Sequence, residues 1–384
     1  WNHGRLIARE VSYVTPGNDF KNTHIHRDLN DGYDYSEGEN WAQFIQQHGL
    51  VLKMHAGAMP QSSEWSQEDV RTPEELSLFL DQYLNNTYSH FSGTPGFTHI
   101  DVVNEIAEMH GWRKNLTGTD QWEHQFYKIG QDDDWKGTPL YLKQAFGNAM
   151  AHAPGMKLMI NEAFGPEDAG PWNTNKYAVQ YLRDRGYRVD GIGWQAHFGP
   201  GSLSKYSESS LQDLRELIDW AHNNNLEFHV TEMDVRISDK SKYDYQAQIF
   251  RDVLEILLQK RHNGMVGFTM WGLDPHHSWH PEQYDVIFDE NWAPKPAYYA
   301  IQDVLEEYGR AELGVAGETP VTQEPYTSAF QIPGVIDPSR FDIGGEGVAY
   351  HDTTSGNEGN FRTSEDVDCW DGGVGWIDGG EWLE

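Results

Sequence analysis

Cysteine is almost absent from this chain of 384 residues: Cys369 stands alone, so no disulfide forms within it and cysteine usage leaves the redox compartment open. Positive charge is also scarce, with 28 Lys and Arg against 60 Asp and Glu and a formal net charge of −32. Phosphate backbones are gripped by clustered Lys and Arg, so nucleic acid is excluded as a partner. Long apolar runs are missing too. No stretch approaches the roughly 20 residues that span a bilayer, which argues against a membrane partner, and no signal peptide is visible. The acid excess reads as a solvated surface whose natural partner is neutral or cationic.

What the chain has in abundance is aromatic rings, with 15 Trp and 19 Tyr. Sugar C–H faces stack on flat rings while sugar hydroxyls take Asp, Asn, Gln and His, so this composition suits carbohydrate. For any single Trp, core packing is the simpler reading.

Up to about Tyr308, strand-like runs alternate with amphipathic stretches, which predicts a parallel α/β architecture. Strands are expected at 11–14, 50–54, 98–103, 156–160, 191–194, 227–230 and 266–271, with helices such as 73–84, 140–151, 209–223 and 243–260. An eight-stranded barrel needs one strand more, and nothing before Val11 supplies it, so the chain is expected to start inside the domain. After Gly309 the texture turns rich in Gly, Thr and Pro, which reads as a linker. Beyond it, Gly- and Asp-rich sequence with short β-type segments predicts an all-β piece.

Two of the strand-like runs end in glutamate: Ile100-Asp101-Val102-Val103-Asn104-Glu105 and His229-Val230-Thr231-Glu232-Met233-Asp234. A β-branched run that stops at a carboxylate is how a buried parallel strand delivers an acid to the rim of an α/β barrel. Two such acids facing one cleft suit glycoside hydrolysis: one carboxyl protonates the leaving oxygen, and the other attacks the sugar or activates water. The remaining strand ends carry Asn161, Gln195 with His197, and Trp271 with Asp274 and Trp279, types that core packing alone would not select. Trp271 and Trp279 are expected to wall a sugar cleft, with plain packing as the alternative. His276, His277 and His280 lack a supporting carboxylate or cysteine set of known spacing, so no metal is expected there. Glu108, Glu162 and Glu290 read as surface or supporting acids.

Residues 4–308 resemble glycoside hydrolase family 10, the xylanase barrels. The segments LIAREVSYVTP, DVVNE, KLMIN, GIGWQAH, VTEMD, the tryptophan segment from Trp271 to Trp279, and FDENWAPKPAYYAI follow its pattern in order. The resemblance implies a (β/α)8 TIM barrel and a retaining endo-β-1,4-xylanase acting on xylan without a catalytic cofactor. It also implies Glu105 as acid/base, Glu232 as nucleophile, Asn104 holding a sugar hydroxyl, and His197 with Asp234 orienting the nucleophile. In a retaining enzyme the carboxyls lie roughly 5–5.5 Å apart. Glu105 must be protonated for part of its cycle, which a low-dielectric pocket beside an anionic glutamate favours; Glu232 must stay ionised, which hydrogen bonds from His197 and Gln195 would favour.

Two stretches depart from the family. Thr15 to Lys21 resembles its TPENEMK segment, so Asn18 and Lys21 are expected to contact sugar, but Gly17 replaces a glutamate. Where the family reads GHTLVWHSQ, this chain keeps one histidine, His55, as a substrate contact like Asn161 and Gln195, and continues Ala56-Gly57-Ala58-Met59-Pro60-Gln61 without the second histidine and the tryptophan. That predicts a less crowded, less polar wall: either altered specificity toward decorated or mixed-linkage glycans, or a carbohydrate-binding relic without turnover.

Residues 331–384 resemble the first half of a family 6 carbohydrate-binding module, a β-jelly-roll, on IPGVI, FDIGGEGVAYHD, FRTSEDVD and VGWIDGGEWLE. Its later strands would follow Glu384, so the chain is expected to stop inside the module. Ile336-Asp337-Pro338-Ser339 stands where that family keeps calcium-binding glutamates, which leaves a structural Ca2+ to other oxygens of the module. The expected organisation is a barrel over 1–310, a linker over 311–329 and a partial β-sandwich over 330–384, in a protein secreted or held at the cell surface.

Overall fold

The short β-branched runs become strands and the amphipathic stretches between them helices, in strict alternation along the computed structural model, which describes residues 2–68, 70–114, 121–312, 369–370 and 373–374. The order is α1 (Asn2–Glu10), β1 (Tyr13–Val14), α2 (Ser36–His48), β2 (Val51–Met54), α3 (Pro73–Phe91), β3 (Phe97–Asn104), α4 (Leu140–His152), β4 (Lys157–Glu162), α5 (Ala169–Asp184), β5 (Gly191–Trp194), α6 (Glu208–Asn223), β6 (Glu227–Val235), α7 (Tyr243–Lys260), β7 (Val266–Met270) and α8 (Pro296–Glu312). Local chemistry sets several boundaries. Thr72 and Glu75 cap α3 reciprocally, with Pro73 in its first turn, and Gly49 ends α2 at φ +67°. Helix α3 runs well past the expected stop at Leu84, because Tyr88 and Phe91 continue its buried face.

These seven strands are parallel, and each pairs with its sequence neighbour from β1 to β7; an eighth, two-residue strand, His197–Phe198, adds to the end of β6, also in parallel. This is a TIM-barrel-like sheet with the helices around it. Among the described residues no strand lies between β7 and β1, so the barrel is nearly closed, with a seam on that side; the side chains of β7 stay mostly half-buried there. Residues 313–329 of the expected linker lie outside the described residues, while 311 and 312 close α8. The expected module over 330–384, with Ile336 to Ser339 and any Ca2+, also lies outside them, apart from Cys369–Trp370 and Gly373–Val374, which pair antiparallel. The chain divides into two units, residues 1–305 and 306–384. Among the described residues no helix is long and apolar enough to cross a membrane.

Polar side chains form a column inside the barrel, where packed aliphatic layers are the norm. At its floor, His99 of β3 meets Glu227 and His229 of β6. Above them Lys53 of β2 and Asp101 of β3, both fully buried, form an ion pair at 2.9 Å. Removing one partner of such a pair costs about 3–5 kcal/mol, since the other charge is left unpaired. Higher still, Thr231 and Asn161 lead up to Glu232. On β5, Gly193 faces this column, and any side chain there would collide with Asn161.

Candidate active site

The C-terminal strand ends bring most of the expected residues to one place. A cavity of about 1070 Å3 runs from Glu105 and Glu232, past Trp271 and Trp279, into the seam beside Ile7 and Phe268. Asn18, Lys21, His55, Asn104, Gln195 and His197 also line it. Asn161 and Asp234 do not: both are buried behind the wall.

The two glutamates are tied together by amides. Asn161 Nδ2 donates to Glu232 Oε1 at 2.6 Å and to Asn104 Oδ1 at 2.9 Å. Asn104 Oδ1 also accepts from Gln195 Nε2 at 3.1 Å, and that same nitrogen donates to Glu105 Oε1 at 3.1 Å. Asn104 Nδ2 reaches Glu105 Oε1 at 3.3 Å. A continuous chain of carboxamides therefore connects one carboxyl to the other. Two sequence expectations change in consequence. Asn161, expected to touch substrate, spends its amide on Asn104 and Glu232 and is fully enclosed, so it positions other groups instead. Gln195, expected to support Glu232, supports Glu105.

Glu232 is held ionised by its surroundings. Burial pushes its carboxyl up, but the His197 hydrogen bond and the charges of His55, His197 and Lys53 outweigh this and bring it below the usual range. His197 Nε2 lies 3.3 Å from Glu232 Oε2, and its Nδ1 lies 2.7 Å from Asp234 Oδ2. Burial would lower the imidazole, yet bonds to Asp234 and Glu232 push it up to about 10, so it carries a proton at neutral pH. Trp279 Nε1 donates to the same Asp234 oxygen at 2.7 Å. On the opposite side His55 Nδ1 bonds Asp101 at 2.8 Å, and its ring meets Trp271 edge-on at 5.9 Å.

Glu105 sits at the rim in the left-handed region, at φ +53°. Gln61 and Ala196 share that region at +56° and +62°. Backbone strain of this kind costs about 1–3 kcal/mol per residue and collects at functional sites. The backbone N–H of Glu105 donates to Asn161 at 2.9 Å, which fixes the turn. Its Oε2 forms an ion pair with Arg113 at 3.1 Å. Arg113 follows the small hairpin of Ala107–Glu108 and Gly111–Trp112 and was not among the expected residues. A basic side chain shortly after a strand-end acid, in a chain so poor in bases, was the available signal. Lys53 was missed as well, although a lone lysine in the apolar run Val51 to Met54 marks a buried charge in need of an anion.

The divergent segment after His55 forms part of the wall by pressing its backbone onto β3. Ala58 N donates to Val102 and Asn104 N donates to Ala58, each at 3.0 Å. Gly57 permits this approach: a Cβ there would stand 2.2 Å from the Asp101 carbonyl oxygen. Met59, Pro60 and Gln61 then face the cavity, and Gln61 Oε1 accepts from Lys21 Nζ at 3.3 Å. The wall is therefore polar at Gln61, contrary to the composition of Ala56 to Met59 alone. Gly17 lies flat beneath Trp271, where a Cβ would come within 3.1 Å of the indole.

Of the supporting acids, Glu162 is fully buried, and burial raises its carboxyl to about 7 against the bonds from Asn175 and Ala163. Glu108 is exposed, and Glu290 pairs with Lys240 at the surface. His276, His277 and His280 do not converge: His276 contacts the Glu290 carbonyl, His280 contacts Arg236, and His277 joins Asp274 and His3.

Residues 2–304 match the family model described as glycosyl hydrolase family 10. Endo-1,4-beta-xylanase B of Thermotoga neapolitana is 28% identical over 320 residues, which span 79% of this chain and 83% of the relative. Endo-1,4-beta-xylanase A of Humicola insolens is 27% identical over 282 residues, 71% of this chain and 69% of the relative. Among solved structures, native xylanase 10B from Thermotoga maritima is similar with a TM-score of 0.67 and 26% identity, covering 80% of this chain and 90% of that one. Xylanase 10B from Thermotoga petrophila RKU-1 in complex with xylobiose gives the same TM-score and identity, covering 80% and 89%.

Proposed function

The chain belongs to glycosyl hydrolase family 10, and from that premise we propose that it hydrolyses β-1,4-xylosidic bonds within xylan, with retention, by double displacement. The observation that carries the reading is the carboxamide chain joining Glu105 to Glu232, with a protonated His197 on the second carboxylate. In the first step Glu105 gives its proton to the glycosidic oxygen as the carboxylate of Glu232 attacks the anomeric carbon, breaking the C–O bond and leaving a glycosyl ester on Glu232. In the second, Glu105 takes a proton from water, whose oxygen attacks the same carbon and frees Glu232. Asn104, which lines the cavity beside both carboxyls, is placed to hold a sugar hydroxyl, and Trp271 and Trp279 to stack on the rings at either side of the scissile bond. Asn18, Lys21 and His55 complete the sugar-binding wall. No cofactor enters either step.

Polymeric xylan is met outside the cell, which supports placing the enzyme there or at the cell surface. The segment over 330–384 acts as a carbohydrate-binding module that keeps the barrel near insoluble substrate, with any Ca2+ confined to it. The rebuilt wall from Ala56 to Gln61 makes decorated xylan the preferred substrate over the bare polymer.

Reducing-sugar release from plain xylan, decorated xylan and mixed-linkage glucan tests activity and preference together. Glu232→Ala should lose at least about 1,000-fold in turnover, the scale of removing a residue that forms a covalent bond to substrate. A mechanism-based epoxide should label Glu232 in the wild type. Binding of xylan without turnover by the wild-type chain would replace this reading with that of a non-catalytic relic.

A further inference from the structure

The floor of the barrel, at the opposite strand ends from Glu105 and Glu232, holds two imidazoles and a carboxylate in close array. His99 Nε2 lies 3.0 Å from Glu227 Oε2, and His229 Nε2 lies 3.2 Å from the same oxygen. The three donor atoms all lie within 4.8 Å of one another. A tetrahedral zinc ion, bound at about 2.0–2.2 Å, spaces its ligands about 3.3 Å apart, so an ion fits among these atoms after small adjustments. The donor set, two imidazoles and one carboxylate, is of the type found with such an ion and a water in the fourth position.

The surroundings orient each ligand. Thr98 Oγ1 is 2.8 Å from His99 Nδ1, which turns Nε2 inward, as a ligand's outer partner does. Lys157 Nζ takes Glu227 Oε1 at 3.0 Å and leaves Oε2 for the histidines. Lys53, the nearby buried cation, is committed to Asp101. The His229 ring packs against β7 at Gly267, where a Cβ would lie 2.5 Å from Nδ1, and that buried nitrogen has no hydrogen-bond partner among the described residues. Tyr13 closes the cluster edge-on to His99 at 5.6 Å and to His229 at 6.3 Å. His99 and Glu227 keep some exposure, which gives an ion a way in.

We propose that His99, Glu227 and His229 bind one divalent transition-metal ion, of the zinc type, with a water in the fourth position, and that the ion links the two strands that carry them. The strands that carry them are separated by β4 and β5, so the ion would tie opposite sides of the floor in a barrel that has a seam between β7 and β1. Two other clusters are chemically similar. His55, Asp101 and Glu232 belong to the catalytic column; His3, Asp274 and His277 hold α1 against the loop after β7 and serve as the control.

Zinc chloride is titrated into the metal-stripped full chain by calorimetry, with cobalt(II) absorption as an independent report of nitrogen coordination. One site per chain is expected, weakened more than tenfold in His99→Gln and in Glu227→Gln, and unaffected in His277→Ala. Zinc at about 100 times its Kd should raise Tm by about 4 °C in the wild type and leave folded His99→Gln unchanged. Xylan turnover at saturating substrate should be equal in wild type and His99→Gln. No binding to the wild type, or binding lost in His277→Ala but kept in His99→Gln, overturns the site; both readouts can be made on chains whose circular dichroism matches the wild type.

Discussion

Replacing Gly193 by alanine adds one methyl group to the barrel interior and should disable the site without touching either glutamate. The new Cβ would lie 2.4 Å from Asn161 Oδ1 and 2.7 Å from Thr231 Cγ2. Ordinary contact begins near 3.4 Å, so Asn161 has to move by about 1 Å, and its buried neighbours leave it nowhere to go without dropping a bond. Its Nδ2 holds Glu232 at 2.6 Å. A hydrogen bond to a charged group contributes about 1.5–3 kcal/mol, or about 10–150-fold in rate if it is needed in the transition state. Misplacing a reacting group by 1 Å costs about 100-fold, which agrees with that range. Overpacking adds about 1–3 kcal/mol of destabilisation. Gly191→Ala is the matched control. Its Cβ would meet Met159 Cε and Sδ at 2.6 Å, where a flexible thioether can yield, and the Glu227 carbonyl oxygen at 3.0 Å, which asks for a shift of a few tenths of an ångström at the barrel floor, away from both glutamates of the rim. The assay is kcat on an aryl β-xylobioside beside a thermal melt of each variant. Folded Gly193→Ala within threefold of wild-type kcat, or Gly191→Ala equally impaired, would refute the argument.

His197→Asn should move the acidic limb of kcat/KM to higher pH, because the bond and charge that hold Glu232 below its usual range are lost; kcat should fall about tenfold or more, read from a pH series on the same xylobioside. Glu162→Gln concerns stability. A carboxyl raised from 4.5 to about 7 on folding contributes stability below pH 4.5 that is lost as pH rises through 7, about 3 kcal/mol in all, so the variant should abolish that loss when urea unfolding is compared at pH 4.5 and pH 8.

The strand positions were legible because each is a short, largely apolar run closed by polar or turn residues, and a buried parallel strand leaves that pattern directly in sequence. Gly191–Trp194 and Tyr243–Lys260 match their expected bounds residue for residue. The rim of the candidate site was legible for the same reason, since Asn104, Glu105, Gln195, His197 and Glu232 are strand-end residues. What stayed hidden was pairing across strands. Whether Gln195 serves Glu105 or Glu232 depends on its side-chain direction just before a turn at Ala196, φ +62°, and no periodicity encodes that turn. Asn161 looked like a sugar contact because its type suits one, but depth in the barrel, not type, decides what it touches. Arg113 lies on a hairpin whose fold brings it back over Glu105, a contact that linear spacing does not reveal.

The same amide chain touches both carboxyls, so their different duties must come from what stands at its two ends. At the Glu232 end the neighbours are fixed: His197, half-buried, is locked between two carboxylates, and Lys53 and His55, both buried, are locked on Asp101. Surroundings pinned in this way hold the Glu232 carboxyl below its usual range and favour the anion that a nucleophile requires. At the Glu105 end the partner is Arg113, on a small hairpin at the rim, and the backbone beneath is strained. An ion pair there can be remade as sugar enters and water leaves, so this contact is the adjustable one of the two. An acid/base has to change charge within each cycle, and the variable contact stands at Glu105, the glutamate to which the proposed mechanism gives that duty.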